Sequence, residues 1–180
     1  MLRVIILLVA SAPLVASAEE CYSVDSSSGS VSFELQQAGS PFRGKFRQFG
    51  GEVCLSQDRA TRIDVWLDPA SVQSGTPEID AALKEKEFFA VDQFPRVAYT
   101  SKSVDVRGST QLVHGTLQVK GKRHDVDVPF EVSRKGGTPI VSGTLKLNRL
   151  DYGLGTGEWS NTKWLGGEVS VELKAALSAK

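Results

Sequence analysis

The chain has 180 residues, with 21 basic and 21 acidic side chains that cancel, and 41% of its residues are hydrophobic. A near-neutral chain without a basic cluster argues against nucleic acid as a partner and against electrostatic docking on anionic membranes. Its two cysteines form no C-x-x-C pair, so a thioredoxin-like redox motif is absent.

Residues 1–18 read as a signal peptide. Arg3 supplies a positive start, an apolar run extends from Val4 to Val15 with Pro13 breaking it, and Ala16-Ser17-Ala18 forms an A-x-A cleavage signal. Cleavage is expected before Glu19, leaving residues 19–180 as one domain in the periplasm or secreted. An uncleaved anchor is the competing reading, but the apolar run is shorter than the roughly 20 residues that span a bilayer. Glu19-Glu20 before Cys21 does not fit a lipoprotein signal.

Period-two alternation follows, the mark of strands with one dry and one wet face. Tyr22 and Val24 point inward and leave Cys21 outward; Val31, Phe33 and Leu35 continue the pattern. A strand beginning near Phe42 is interrupted at Gly50-Gly51, read as a bulge or bend, before Val53 and Leu55 turn inward and Cys54 outward. The same outward face for Cys21 and Cys54, in an oxidising compartment, favours a disulfide. Two free thiols stay open, because alternation alone does not show that the two strands are neighbours.

Ile63, Val65 and Leu67 form the next strand. The Ala-, Leu-, Glu- and Lys-rich stretch opened by Pro77 and running to Lys86 predicts a short helix, with Phe88-Phe89 and then Phe94-Pro95 at its exit. Further alternating sets are Val97 and Tyr99; Gly115, Leu117 and Val119; Val126, Val128, Phe130 and Val132; Gly143, Leu145 and Leu147; and Val169, Val171 and Leu173. The expectation is an all-β, antiparallel β-barrel of about eight strands with one short inserted α-helix, wide enough for one small ligand. A β-sandwich competes; Gly115 and Gly143 at inward positions leave room inside and favour the hollow barrel.

Chemistry-bearing patterns are sparse. His114 and His124 lack the helical i, i+4 spacing of a zinc site and read as surface residues. There is no G-x-S-x-G elbow; Asp125 and Asp127 read as a solvated face, and Gly153-Leu154-Gly155-Thr156-Gly157 as a loop. No catalytic residue, metal site or cofactor is expected, and the chain is read as a non-enzyme. What remains is aliphatic and aromatic, as an apolar ligand cavity requires. The candidate contacts are Phe33, Leu35, Phe46, Val65, Leu67, Phe88, Phe89, Phe94, Tyr99, Leu117, Phe130, Leu145, Leu147 and Trp159.

Several segments, in order, resemble one family: Tyr22 to Asp25 and Ser30 to Phe33; Gly44 to Phe49 as G-x-F-x-x-F; Asp68 to Gly75; Asp80 to Leu83 with Glu87-Phe88-Phe89 and Phe94-Pro95; Gly115 to Gly121; and Arg149-Leu-Asp-Tyr152-Gly153 as R-x-x-[FY]-G. Together they are similar to the YceI-like family of secreted polyisoprenoid-binding proteins, from about Cys21 to Leu177. The resemblance implies a lipocalin-like barrel outside the cytoplasm, holding a long isoprenoid or quinone-like lipid. It adds Arg149 and Tyr152 to the candidate contacts. Arg149 either meets a polar head group, lies on the surface or pairs with a carboxylate. Many members carry His-Ser after the opening Y-x-x-D, where this chain has Ser26 after Asp25. Some members neighbour membrane b-type cytochromes, so an alternative role is a scaffold for such a redox partner without obligatory cargo. Self-association as a homodimer is compatible with either.

Overall fold

The computed structural model describes residues 18–108 and 110–180, so the expected leader, apart from Ala18, lies outside the described residues. Twelve strands are described: β1 (Glu20–Asp25), β2 (Gly29–Gln37), β3 (Ser40–Phe46), β4 (Phe49–Ser56), β5 (Arg59–Leu67), β6 (Val72–Gln73), β7 (Val97–Arg107), β8 (Thr110–Val119), β9 (Lys122–Lys135), β10 (Thr138–Asn148), β11 (Glu168–Ala176) and β12 (Ser178–Ala179). One helix, α1 (Pro77–Lys84), is inserted between β6 and β7. The strands form one sheet in the order β12-β1-β4-β5-β7-β8-β9-β10-β11-β2-β3-β6.

The two ends of this order meet through the last strand. β11 pairs with β10 and β2, and its continuation β12 pairs with β1. The sheet therefore curls into a ring of β1, β4, β5, β7, β8, β9, β10 and the β11–β12 strand, while β2, β3 and β6 extend the wall past the seam. Backbone bonds from Ala176 to the Ser28 carbonyl (2.9 Å) and from Leu177 to the Pro139 carbonyl (2.8 Å) fasten it. Closure pairs the strands of the ring on both sides, and the edge that remains lies at β3 and the short β6.

The expected count of about eight falls short for two reasons. The stretch from Phe42 to Leu55 is two strands, which part at Arg47–Gln48 and pair with different neighbours: β3 with β2 and β6, β4 with β1 and β5. The two-residue β6 and β12 are too short to show a period. Of the bulge or bend expected at Gly50-Gly51, the register shift lies instead between Cys54 and Leu55, while Gly51 departs from ordinary strand backbone with a φ of 141°.

Cys21 and Cys54 are direct cross-strand partners on β1 and β4 and are bridged, with Cα atoms 4.0 Å apart. That adjacency decides the alternative left open by alternation, and the bridge indicates an oxidising compartment. A second seam forms where β7 bulges between Ser101 and Ser103. Here side chains complete the β5 ladder: Ser101 Oγ accepts from the Ile63 amide (2.8 Å), and the buried Gln111 accepts from the Ala60 amide (2.7 Å). Gln111 also donates to the Asp58 carbonyl at 2.8 Å, so its burial leaves no polar group unsatisfied on this edge.

The alternating inward residues Val31, Val53, Ile63, Val119 and Phe130 are buried as predicted, and Val113 and Val141 extend the same faces. Helix α1 begins with Pro77 in its first turn, carries Glu78 and Asp80 there and Lys84 in its last turn, matching its dipole. No residue of α1 is buried, and Leu83 packs partly against the core. The helix is thus a cap resting on the barrel rather than part of its centre. No described helix is long and apolar enough to cross a membrane.

Candidate functional site

Many inward side chains are only half-buried. Val65, Leu67, Val128, Leu145, Leu147, Val169, Val171 and Leu173 all point into the barrel yet keep accessible surface. They line the space within the barrel. That space has two compartments, an outer one of about 150 Å³ and an inner one of about 130 Å³. Leu67, Val97, Leu117, Leu145 and Val171 line both, so they form the waist between them. The wall surface of the outer compartment is wholly apolar. An apolar cavity of about 150 Å³ stays dry and accepts a hydrocarbon guest.

The outer compartment is roofed by two segments. The last turn of α1 delivers Leu83, and the turn that follows at Glu85–Ala90 delivers Phe88 and Phe89 to the lumen; the loop between β10 and β11 delivers Leu154 and Leu165. The two segments hold each other. The Gly155 and Thr156 amides both donate to the Glu87 carbonyl, at 2.7 and 3.2 Å. Lys120 on the β8–β9 turn donates to the Lys86 carbonyl (2.6 Å) and the Gly153 carbonyl (2.9 Å), tying both to the barrel. Partial burial lowers the Lys120 pKa. Aromatic contacts run from wall to roof: Phe33 lies 6.1 Å from Phe42 and 5.5 Å from Phe46, and Phe46 meets Phe89 edge-on at 5.8 Å.

Of the predicted contacts, Phe33, Leu35, Phe46, Val65, Leu67, Phe88, Phe89, Tyr99, Leu117, Phe130, Leu145, Leu147 and Arg149 line one or both compartments. Phe94, Tyr152 and Trp159 do not. Phe94 packs on the β8–β9 turn, where a Cβ at Gly121 would stand 2.8 Å from its ring. Tyr152 is fully buried with its ring 4.8 Å from His124, and burial pushes its hydroxyl pKa up to about 12. Trp159 sits behind Phe88, 5.7 Å away, as backing for the roof. Alternation carries no information on these three, because each lies outside the strands.

Arg149 differs most from expectation. It is 2% exposed and has no carboxylate partner among the described residues; its guanidinium donates to the carbonyls of Leu154, Gly155, Trp159, Leu165 and Gly166 at 2.7–2.9 Å. Arginine has five N–H donors, and all five are used. It is therefore the hub that shapes the roof loop, with no donor left for a head group. Desolvation lowers its pKa, yet a guanidinium stays charged in any protein setting.

The inward glycines also divide. A Cβ on Gly115 would lie 2.5 Å from the Tyr99 ring, so that gap is already filled by Tyr99, whose hydroxyl donates to the Val113 carbonyl at 3.1 Å. Gly143 lines the inner compartment, and a Cβ there would meet Val128 at 3.2 Å, a milder approach than at Gly115. Residues not singled out beforehand include Phe42, Leu83, Val97, Val119, Leu154, Leu165, Val169 and Val171. The valines were readable from alternation, whereas Leu83, Leu154 and Leu165 needed the fold.

Outside the barrel, His114 is bracketed rather than free, with Asp127 at 2.6 Å and Asp105 at 3.3 Å. These hydrogen bonds, Asp127 first, raise its pKa. His124 is exposed, as expected. The described residues bring together one trio of metal-ligand types, Glu19, Cys21 and Cys54. Its sulfurs are spent in the disulfide, leaving no thiolate to bind a metal.

The comparisons fit this geometry. The YceI-like domain model matches residues 22–177. Protein YceI of Salmonella arizonae is 29% identical over 112 residues, covering 61% of this chain and 59% of that protein. The protein plu2095 of Photorhabdus laumondii is 26% identical over 133 residues, covering 68% and 69%. Among solved structures, BcnA of Burkholderia cenocepacia superposes with a TM-score of 0.81 at 28% identity, over 85% of this chain and 98% of that one. A polyisoprenoid-binding domain from Saccharophagus degradans gives 0.70 at 19% identity, over 88% and 98%, a likeness of fold.

Proposed function

The chain belongs to the YceI-like domain family, and from that premise we propose that it is a periplasmic or secreted binding protein for a long-chain isoprenoid or a related lipid, a quinone-like tail included. The observation that carries this reading is the outer compartment's wall, which offers a guest no polar atom. Such a wall selects hydrocarbon and rejects any group that would lose hydrogen bonds on entry. Each CH₂ moved out of water contributes about 0.8 kcal/mol. Ten of them supply about 8 kcal/mol before association costs, so no buried anchor is required. The terminal units of the chain lie in the lumen and the polar head stays outside the roof.

The protein holds its ligand and does not transform it. His114, whose pKa is raised by its two carboxylate partners, lies on the outer face away from the lumen. A hollow interior favours cargo over a pure scaffolding role beside a membrane cytochrome, for which a filled core would serve. Native mass spectrometry of freshly purified protein, followed by organic extraction, tests the reading. A co-purifying apolar molecule that dissociates on denaturation is expected. A chain that arrives empty from its native host and takes up no added isoprenoid alcohol would overturn it; the same spectra report any dimer.

A further inference from the structure

The lumen is two chambers with a waist, and the waist makes depth a property that ligands can differ in. We propose that the lumen measures chain length, and that Gly143 sets the limit by keeping the inner chamber open. This rests on the reading of the protein as a binder of hydrocarbon chains, and it specifies which part of a chain the protein discriminates.

Gly143 sits in one rung across the wall, paired with Phe130 on β9 and with Leu173 on β11. All three line the inner chamber and not the outer one. Phe130 and Leu173 are bulky; between them Gly143 has no side chain. An added Cβ would press on Val128 Cγ1 at 3.2 Å and touch Phe130 Cδ2 and the Pro129 carbonyl oxygen at 3.5 Å, so a side chain here fits only where Val128 gives way, and anything longer than a methyl must reach past this rung into the chamber. The backbone there has no left-handed φ, unlike Gly153 or Gly155 in the roof, so the glycine is not demanded by conformation. It contrasts with Gly115, whose gap the Tyr99 ring fills. What glycine provides at 143 is volume.

The magnitude follows from the volumes. A cavity of about 150 Å³ holds a guest the size of benzene, with six carbons. The inner chamber, about 130 Å³, therefore takes about one five-carbon isoprene unit. Each carbon that finds space should tighten binding about fourfold. A chain ending at the waist gains nothing from the inner chamber; a chain passing it gains up to about a thousandfold. Beyond the lumen further carbons stay in water and add nothing.

The test uses straight-chain primary alcohols of six to sixteen carbons, titrated by calorimetry into the full chain. For the wild type, affinity should climb about fourfold per carbon and then level off at a definite length. In Gly143→Phe the ring occupies the inner chamber, so the levelling-off should come about five carbons earlier, with shorter alcohols bound as before. Leu173→Ala enlarges the same chamber and should move it later by two or three carbons. If Gly143→Phe does not fold, Leu173→Ala carries the test alone. A break at the wild-type length in each folded variant overturns the length-measuring role while leaving lipid binding intact. Failure of the wild type to bind any alcohol overturns the lipid-binding reading itself.

Discussion

Replacing Arg149 by lysine should destabilise the protein far more than a charge-conserving change normally does. Five backbone carbonyls converge on the guanidinium, and lysine has three donors on a single nitrogen. At least two carbonyls then lose a charge-assisted bond, each worth about 1.5–3 kcal/mol. With the side chain 2% exposed, solvent does not dilute the effect. The expected cost is about 3–6 kcal/mol, a large part of the roughly 5–15 kcal/mol that holds a domain together. Urea denaturation measures the total. Hydrogen exchange locates it: the Gly155 and Thr156 amides, which donate to the Glu87 carbonyl, should lose protection before the strands do. If Arg149→Lys unfolds within about 1 kcal/mol of wild type, the carbonyl hub is not what holds the roof. If it is also stable yet releases bound lipid, Arg149 acts on the ligand and the head-group role is reinstated.

Phe89→Ala, at a half-buried position lining the lumen, should cost about 1–2 kcal/mol, below the 3–5 typical of a sealed core, while weakening retention of an added isoprenoid alcohol about tenfold or more; a full core-sized cost with unchanged retention contradicts the lumen assignment. Removing the disulfide by the double change Cys21→Ser and Cys54→Ser, at a sequence separation of 33, should lower stability in urea by about 3–4 kcal/mol on the chain-entropy account, and the intact mass of the exported wild type should correspond to a bridged chain starting at Glu19. For His114 the folded pKa is raised by Asp127 and Asp105, so the protonated form favours folding. Its stabilisation should be full below pH ~6.5 and fade as the pH rises through the folded value. A titration of melting temperature should show this decline, and Asp127→Asn should flatten it; an unchanged profile in that variant removes the bracket from the account.

The strands were legible because alternation is a local property. Val31, Phe33, Leu117, Leu145 and their kin face inward as the period requires. The cysteine bridge needed one more fact, the adjacency of β1 and β4, that no local pattern contains. The roof was largely opaque for the same reason. Arg149 stands at the end of β10, where sequence shows a charge beside a glycine-rich loop; only the folded loop turns five carbonyls toward it. Trp159 and Phe94 carry the same aromatic chemistry as Phe88, yet they back the roof or a turn instead of lining the lumen, a difference of position alone. Gly115 shows the opposite trap. An inward glycine signals missing volume, but whether the volume is empty depends on the neighbour, and Tyr99 had already taken it.

The closing strand ties the state of the lumen to the calendar of synthesis. β12 pairs with β1 and β11 with β2, so the first strands made wait for the last ones. β1 with β4, and β4 with β5, lie close in sequence and can form early, the disulfide among them. Until residues 168–179 arrive, however, the sheet is an unrolled ribbon with its greasy face uncovered. A chain shortened by that one segment would keep most of its hydrophobic strands and lose the inside they are meant to enclose, exchanging a vessel for an adhesive surface.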